Sequence, residues 1–149
     1  MTDDRVLVVE MDGRPRAQAR ARVVRAGGRT WAFSPKTAWR KQFTAAARRA
    51  KIALAGRSAP IWGVDVPVRV EMEFWLPSRK KYATARPDLD NLEKSVLDSL
   101  SDAGVWDDDC QVVEVITSKR PAEIGRVRVV ACEWSSAGRR AWAELRGGD

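Results

Sequence analysis

Asp88 and Asp90 flank a single leucine, and about twenty residues further on Asp107, Asp108 and Asp109 stand side by side. The stretch from Arg86 to Glu114, RPDLDNLEKSVLDSLSDAGVWDDDCQVVE, holds nine of the chain's twenty acidic residues and two of its 27 basic ones. Adjacent carboxylates repel one another unless a cation or water relieves them. A hard divalent cation such as Mg2+ takes carboxylate oxygens and keeps several waters, so two or three Asp suffice to hold it. A cation held this way acidifies water and offsets charge on a phosphate, which is the chemistry of phosphodiester hydrolysis. If the backbone stays extended through Leu89, Asp88 and Asp90 share one face. Capping is the competing reading: Asp88 with Asn91, or Asp90 with Glu93, would satisfy the first amides of a helix. The second acidic cluster, past the end of the same helix where the dipole gives an acid nothing, tips the balance toward a metal. Lys94, four residues beyond Asp90, pairs with it or reaches a scissile phosphate. Asp98, four residues further, reads as a structural partner for Lys94.

The chain contains no histidine. Ser-His-Asp and Cys-His catalysis and His-ligated zinc are therefore excluded. Cys110 and Cys132 are the only cysteines, too few for an all-cysteine zinc site, and read as reduced thiols.

These residues have to be positioned by a framework. Arg5–Met11 reads as a strand, and Gly13-Arg14-Pro15 breaks it. Residues 20–25 and 30–33 read as a hairpin across Gly27-Gly28. Ser34-Pro35 opens a helix that runs to Ala55, with Trp39, Phe43, Ala46, Ala47, Ala50 and Leu54 as its buried stripe. Arg40, Lys41, Arg48, Arg49 and Lys51 fill the remainder of that helix. Residues 57–66 read as a connecting loop. Val68–Leu76 alternates cleanly and predicts a half-buried strand. Leu89–Ala103 predicts a second helix, buried through Leu89, Leu92, Val96, Leu97 and Leu100 and stopped by Gly104. Gln111–Ile116 and Gly125–Trp134 read as an antiparallel strand pair joined by a turn at 117–124. Trp106 reads as a core anchor, with stacking on distorted DNA as the alternative. The expected fold is a single α+β domain over 1–134, a mixed sheet carrying two main helices, with 135–149 as a tail or short helix around 141–145.

The charge is uneven. The net charge is +7, made of +12 over residues 1–86 (19 basic, 7 acidic) and −5 over 87–149 (8 basic, 13 acidic). A basic field over one part of a small domain favours a polyanion, above all nucleic acid. Arg16, Arg20 and Arg22 near the hairpin, and Arg79, Lys80, Lys81 and Arg86 in the loop after the central strand, are the expected phosphate contacts. No signal peptide or membrane span is evident, so a cytoplasmic location is expected.

The order R-P-D-L-D-N-L-x-K, then a helix ending D-x-L-x-x-A-G-x-W, then D-D-x-Q-V-V-E, resembles the signature of the RusA-type Holliday junction resolvases, often carried by phages and prophages. Gly13-Arg14-Pro15, the following arginines, the Gly-Gly hairpin and Ser34-Pro35-Lys36-Thr37 are similar to the N-terminal half of that family. The resemblance spans roughly residues 5–130. It implies that Asp88, Asp90 and Asp109 are the metal-binding catalytic aspartates and Lys94 the catalytic lysine. Asn91, Asp108 and Gln111 take supporting roles. It also implies an endodeoxyribonuclease using Mg2+, or Mn2+, that acts as a homodimer on four-way DNA junctions. Two rivals stand beside it: a basic DNA-binding dimer whose aspartates only cap a helix, and a nucleotidyl-transfer enzyme using an Asp-x-Asp pair. The reading makes one geometric demand. Asp109 can join Asp88 only if the loop at 107–109 folds back to the N-terminal end of the helix, or if a partner subunit lies close.

Overall fold

The computed structural model describes residues 3–19, 21–33 and 35–134. Arg20, the Ser34 cap and the short helix expected near 141–145 lie outside the described residues.

The hydrophobic residues that alternate in β1 (Val6–Asp12), β4 (Val68–Pro77) and β6 (Arg126–Glu133) meet on one face of a four-stranded sheet. Its order is β1-β6-β4-β5, with β5 spanning Val112–Ala122. The register sets Leu7 opposite Ala131, Val9 opposite Val129, and Met72 in turn opposite Val129. Over this face lie α1 (Ala38–Ala55) and α2 (Leu89–Asp102), which bury Trp39, Phe43 and Ala47 from one helix and Leu92, Val96 and Leu100 from the other. Trp39 and Phe43 stack with ring centroids 5.4 Å apart. This is the expected α+β domain: a mixed sheet with two main helices.

Four details depart from the expectations. First, β5 and β6 do not pair. β5 lies parallel to β4 and β6 antiparallel to it, one on each side, so β4–α2–β5 is a crossover unit. The strand also continues through 117–122, because Pro121 lies on an edge strand where a missing N–H costs no ladder bond. Second, β4 is buried on both faces rather than one. Arg69 and Glu71 are covered, and Arg69 reaches Glu114 at 3.4 Å. Third, α1 starts at Ala38, where the Thr37 hydroxyl accepts from the Arg40 amide at 3.1 Å. Fourth, two of its basic residues are buried. Arg40 pairs with Asp102 at 2.9 Å, and Lys51 donates to the carbonyls of Gly56 and Arg57 at 2.8 and 3.1 Å, closing the helix's C-terminal end.

The hairpin is present as β2 (Arg22–Ala26) and β3 (Arg29–Phe33), a separate two-stranded ribbon turning through Gly27 and Gly28.

Candidate metal and nucleic-acid site

The head of α2 is built so that Asp88 does not cap it. It occupies the cap position in extended geometry, yet its side chain makes no capping hydrogen bond. Its carboxylate instead lies 3.6 Å from the Arg86 guanidinium. Asp90 sits in the first turn, and Asp90, Asn91 and Lys94 are all exposed. A spacing of four residues puts Asp90, Lys94 and Asp98 on one side of the helix. The segment before the helix is anchored from β5: Lys119 Nζ donates to the carbonyls of Ala85 and Pro87 at 2.9 and 3.0 Å. Thr117 also donates to Glu93 at 2.7 Å, locking α2 to the same strand.

Beside Asp88 lies a cleft of about 370 Å³ lined by Arg14, Arg16, Arg86, Asp88 and Asn91, among others. The chain after β1 is steered there by one close approach. Gly13 N–H donates to the Gly125 carbonyl at 2.9 Å, and a side-chain carbon on Gly125 would sit 2.6 Å from the Arg14 Cα. Arg16, Arg86, Asp88 and Asn91, each singled out separately in the sequence, thus line one cleft. Arg14 was missed as a wall of this cleft; its place beside a breaking Gly and Pro was the available signal. Lys119 was also missed, and its role depends on the parallel β5 register. Arg79, Lys80 and Lys81 are exposed in the loop leading to this end of α2, and Arg22 lies on the hairpin.

The other acidic cluster is held by Gln111, only 8% exposed. Its Oε1 accepts from the amides of Asp107 and Asp108, both at 3.0 Å. Its Nε2 donates to the carbonyls of Trp62, Gly63 and Val66 at 3.3, 2.7 and 3.1 Å. One amide side chain therefore ties the 107–111 loop to the 61–66 segment. That segment is no loose connector: Ile61 and Trp62 are buried, and Trp62 bridges to Trp106. Trp106 is itself a core anchor, its indole N–H donating to Ser101 at 2.9 Å. Asp107 accepts from the Val64 amide at 2.7 Å, and Asp108 caps the short 3-10 turn 109–111 through the Cys110 amide at 3.1 Å. Those two carboxylates are committed to backbone. The Asp109 carboxyl is held above its ordinary range, first by its hydrogen bond with Asp108, then by desolvation and the charges of Asp108 and Asp98. The Cys110 amide, and after it the hydrogen bond with Asp109, hold the Asp108 carboxyl below its ordinary range.

The crossover decides how the two clusters relate. Because β5 runs parallel to β4, α2 must run back along them. Its head lies at the strands' far ends near Lys119, and Asp109 lies at their starts near Asp98. Asp90 and Asp98 are eight residues apart on the helix, roughly 12 Å along its axis. The return of the 107–109 loop to the head of α2 is therefore not what the chain does. Among the described residues, no group of three or more Asp, Glu, Cys or His gathers to hold a metal ion. Asp88 and Asp90 offer exposed, hard oxygen donors that suit a divalent cation, but as part of a site.

The fold is thus a mixed sheet with a two-helix cover, carrying a basic cleft beside a carboxylate that does not cap its helix. The model of the family described as Endodeoxyribonuclease RusA matches residues 12–130, and the chain belongs to that family. It is similar to the crossover junction endodeoxyribonucleases RusA of Escherichia coli strain K12 and Shigella sonnei, each 41% identical over 63 residues, or 42% of this chain and 48% of theirs. It is equally similar, at 41% over 63 residues, to the crossover junction endodeoxyribonuclease of Enterobacteria phage 82. The chain spans about half the length of the curated relatives it matches.

Proposed function

We propose that the chain is a Mg2+-dependent, structure-specific endodeoxyribonuclease that resolves Holliday junctions by paired symmetric nicks, acting in the cytoplasm as a homodimer. The observation that carries this reading is the head of α2. Asp88 fills the cap position without capping, with Asp90 in the first turn and a cleft walled by Arg14, Arg16 and Arg86 alongside. A residue that only capped the helix would spend its carboxylate on the amides. Asp88, Asp90 and Asp109 are the residues that would hold the cation, and Mn2+ suits the same oxygens. When bound, it would polarise the phosphate and acidify water.

The chain's own residues do the rest. The arginines grip phosphates on the strand, and the planar fork of each suits that task. Lys94, on the same side of α2 as Asp90, offsets the charge that develops on the phosphate. Gln111 fixes the loop that carries Asp109. Since the crossover sends Asp109 to the opposite end of α2, its carboxylate completes a site only with a second copy. Strand β5, an edge of the sheet among the described residues, supports this. It runs from Asp109 toward Lys119, which holds the chain before Asp88, and it exposes Val113 and Ile116. Two copies related by a two-fold axis perpendicular to β5 lie antiparallel, so Asp109 of one approaches the head of α2 in the other. Two such sites match the two-fold symmetry of a four-way junction.

The test is a synthetic four-way junction beside a linear duplex of the same sequence, with and without Mg2+. The parent should nick the junction only with Mg2+ and leave the duplex whole. Asp90→Asn should bind the junction and fail to cut it; equal cleavage by parent and variant sinks the catalytic assignment.

A further inference from the structure

The β2–β3 ribbon takes no part in the core. Of its twelve residues from Arg22 to Phe33, all but Val24 are exposed. Two aromatic side chains on such a surface need a reason, because a lone two-stranded ribbon is marginal in water. The register sets Arg22 opposite Phe33, Val24 opposite Trp31 and Ala26 opposite Arg29, so these six residues share one face. Trp31 and Phe33, 46% and 45% exposed, are neighbours on it, Trp31 on the middle pair and Phe33 on the end pair opposite Arg22, with Arg29 at the turn. Acidic residues are absent from the whole stretch between Asp12 and Asp65. The ribbon therefore offers aromatic planes inside a strongly cationic surround, and a polyanion that also has flat apolar faces fits it on both counts. Residues two apart on a strand are roughly 6.6 Å apart. That is about twice the ~3.4 Å rise per base of a strand, so the two rings leave room for one base between them.

We propose that the β2–β3 ribbon is a base-stacking element, with Trp31 and Phe33 receiving an unpaired or unstacked base and Arg22 and Arg29 holding its flanking phosphates. The inference deepens the junction-resolving reading and rests on it for where such a base occurs, at the branch point. The ribbon carries none of the proposed metal ligands, and it selects DNA whose bases can leave the stack.

The experiment measures binding of the full chain in EDTA, so that nothing is cut. The probes are a four-way junction, the same junction with abasic nucleotides at the branch, a linear duplex and a short single strand. The parent should bind the intact junction about tenfold more tightly than the abasic one. The double variant Trp31→Ala/Phe33→Ala should lose that preference and weaken on the single strand, with its melting temperature and duplex affinity unchanged. Trp31→Phe should restore most of it. Arg22→Ala should instead flatten the salt dependence on every probe. Equal affinities of parent and double variant for all four probes overturn the proposal. So does a loss that is the same on intact and abasic junctions, or a change in self-association on removing the aromatics, which would make the face a protein contact. A parent with no junction preference counts against the junction reading alone, since the single strand still tests the ribbon.

Discussion

Asp109 and Gln111 are two residues apart and do opposite things to the loop they share. Asp109 is crowded by Asp108 and Asp98, so the folded chain holds its proton more tightly than the unfolded chain does. Between the ordinary value of 3.8 and the raised one, the native state binds more protons, and stability falls as pH rises through that window. In metal-free buffer, Asp109→Asn should match the parent below pH ~3.8 and be neutral to slightly more stable at neutral pH, by no more than about 2 °C in Tm. A clear drop in thermal melting would instead give Asp109 a structural role. Gln111 is a positioning residue and is costly to change. Gln111→Glu would turn a carboxylate oxygen on the carbonyls that now accept from Nε2, so unfolding in urea should show a loss of ~2–4 kcal/mol. A change under ~0.5 kcal/mol would mean that other contacts hold the loop.

Elements explain why some of this was legible in the sequence and some was not. The buried stripe of α2, the extended run of β4 and the break at Gly13 are local patterns, and each appears in the fold where the residues put it, although β4 is covered on both faces. Pairing partners are non-local. Nothing in Val112–Ala122 distinguishes a parallel neighbour from an antiparallel one, and Pro121 reads as a breaker until its strand is known to be an edge. Arg40 and Lys51 looked like solvated charges because their partners, Asp102 and the carbonyls beyond α1, are set by packing. The candidate site follows the same divide. The acidic residues and Lys94 stood out by type and spacing. The cleft wall at Arg14, the clamp by Gln111 and the separation of Asp109 from Asp88 all depend on the crossover. The Gly13–Gly125 contact gives a test at this scale. Gly125→Ala must displace the Gly13–Arg14 backbone, with an expected loss of ~1–3 kcal/mol in stability. Junction affinity should fall with it as Arg14 and Arg16 move. Lower stability with unchanged affinity would remove that segment from the DNA-binding surface.

At the scale of the molecule, the crossover makes shared sites testable by mixing. Asp90→Asn and Asp109→Asn should each be inactive alone on a junction in Mg2+. A mixed dimer holds one site with both changes and one with neither, so combining the two preparations should restore nicking on one strand of the pair. Continued inactivity on mixing, with subunit exchange verified by size, would place each site within a single chain. The position of Asp109 at the far end of α2 then has a consequence for dose. If the proposed shared sites hold, a solitary chain owns two halves of different sites and no whole one, so on dilution the cutting rate should fall with roughly the square of protein concentration. Below the pairing threshold a branch point can be occupied and left uncut. On that reading, cleavage would begin only once a second chain arrives, and its arrival would complete both centres together.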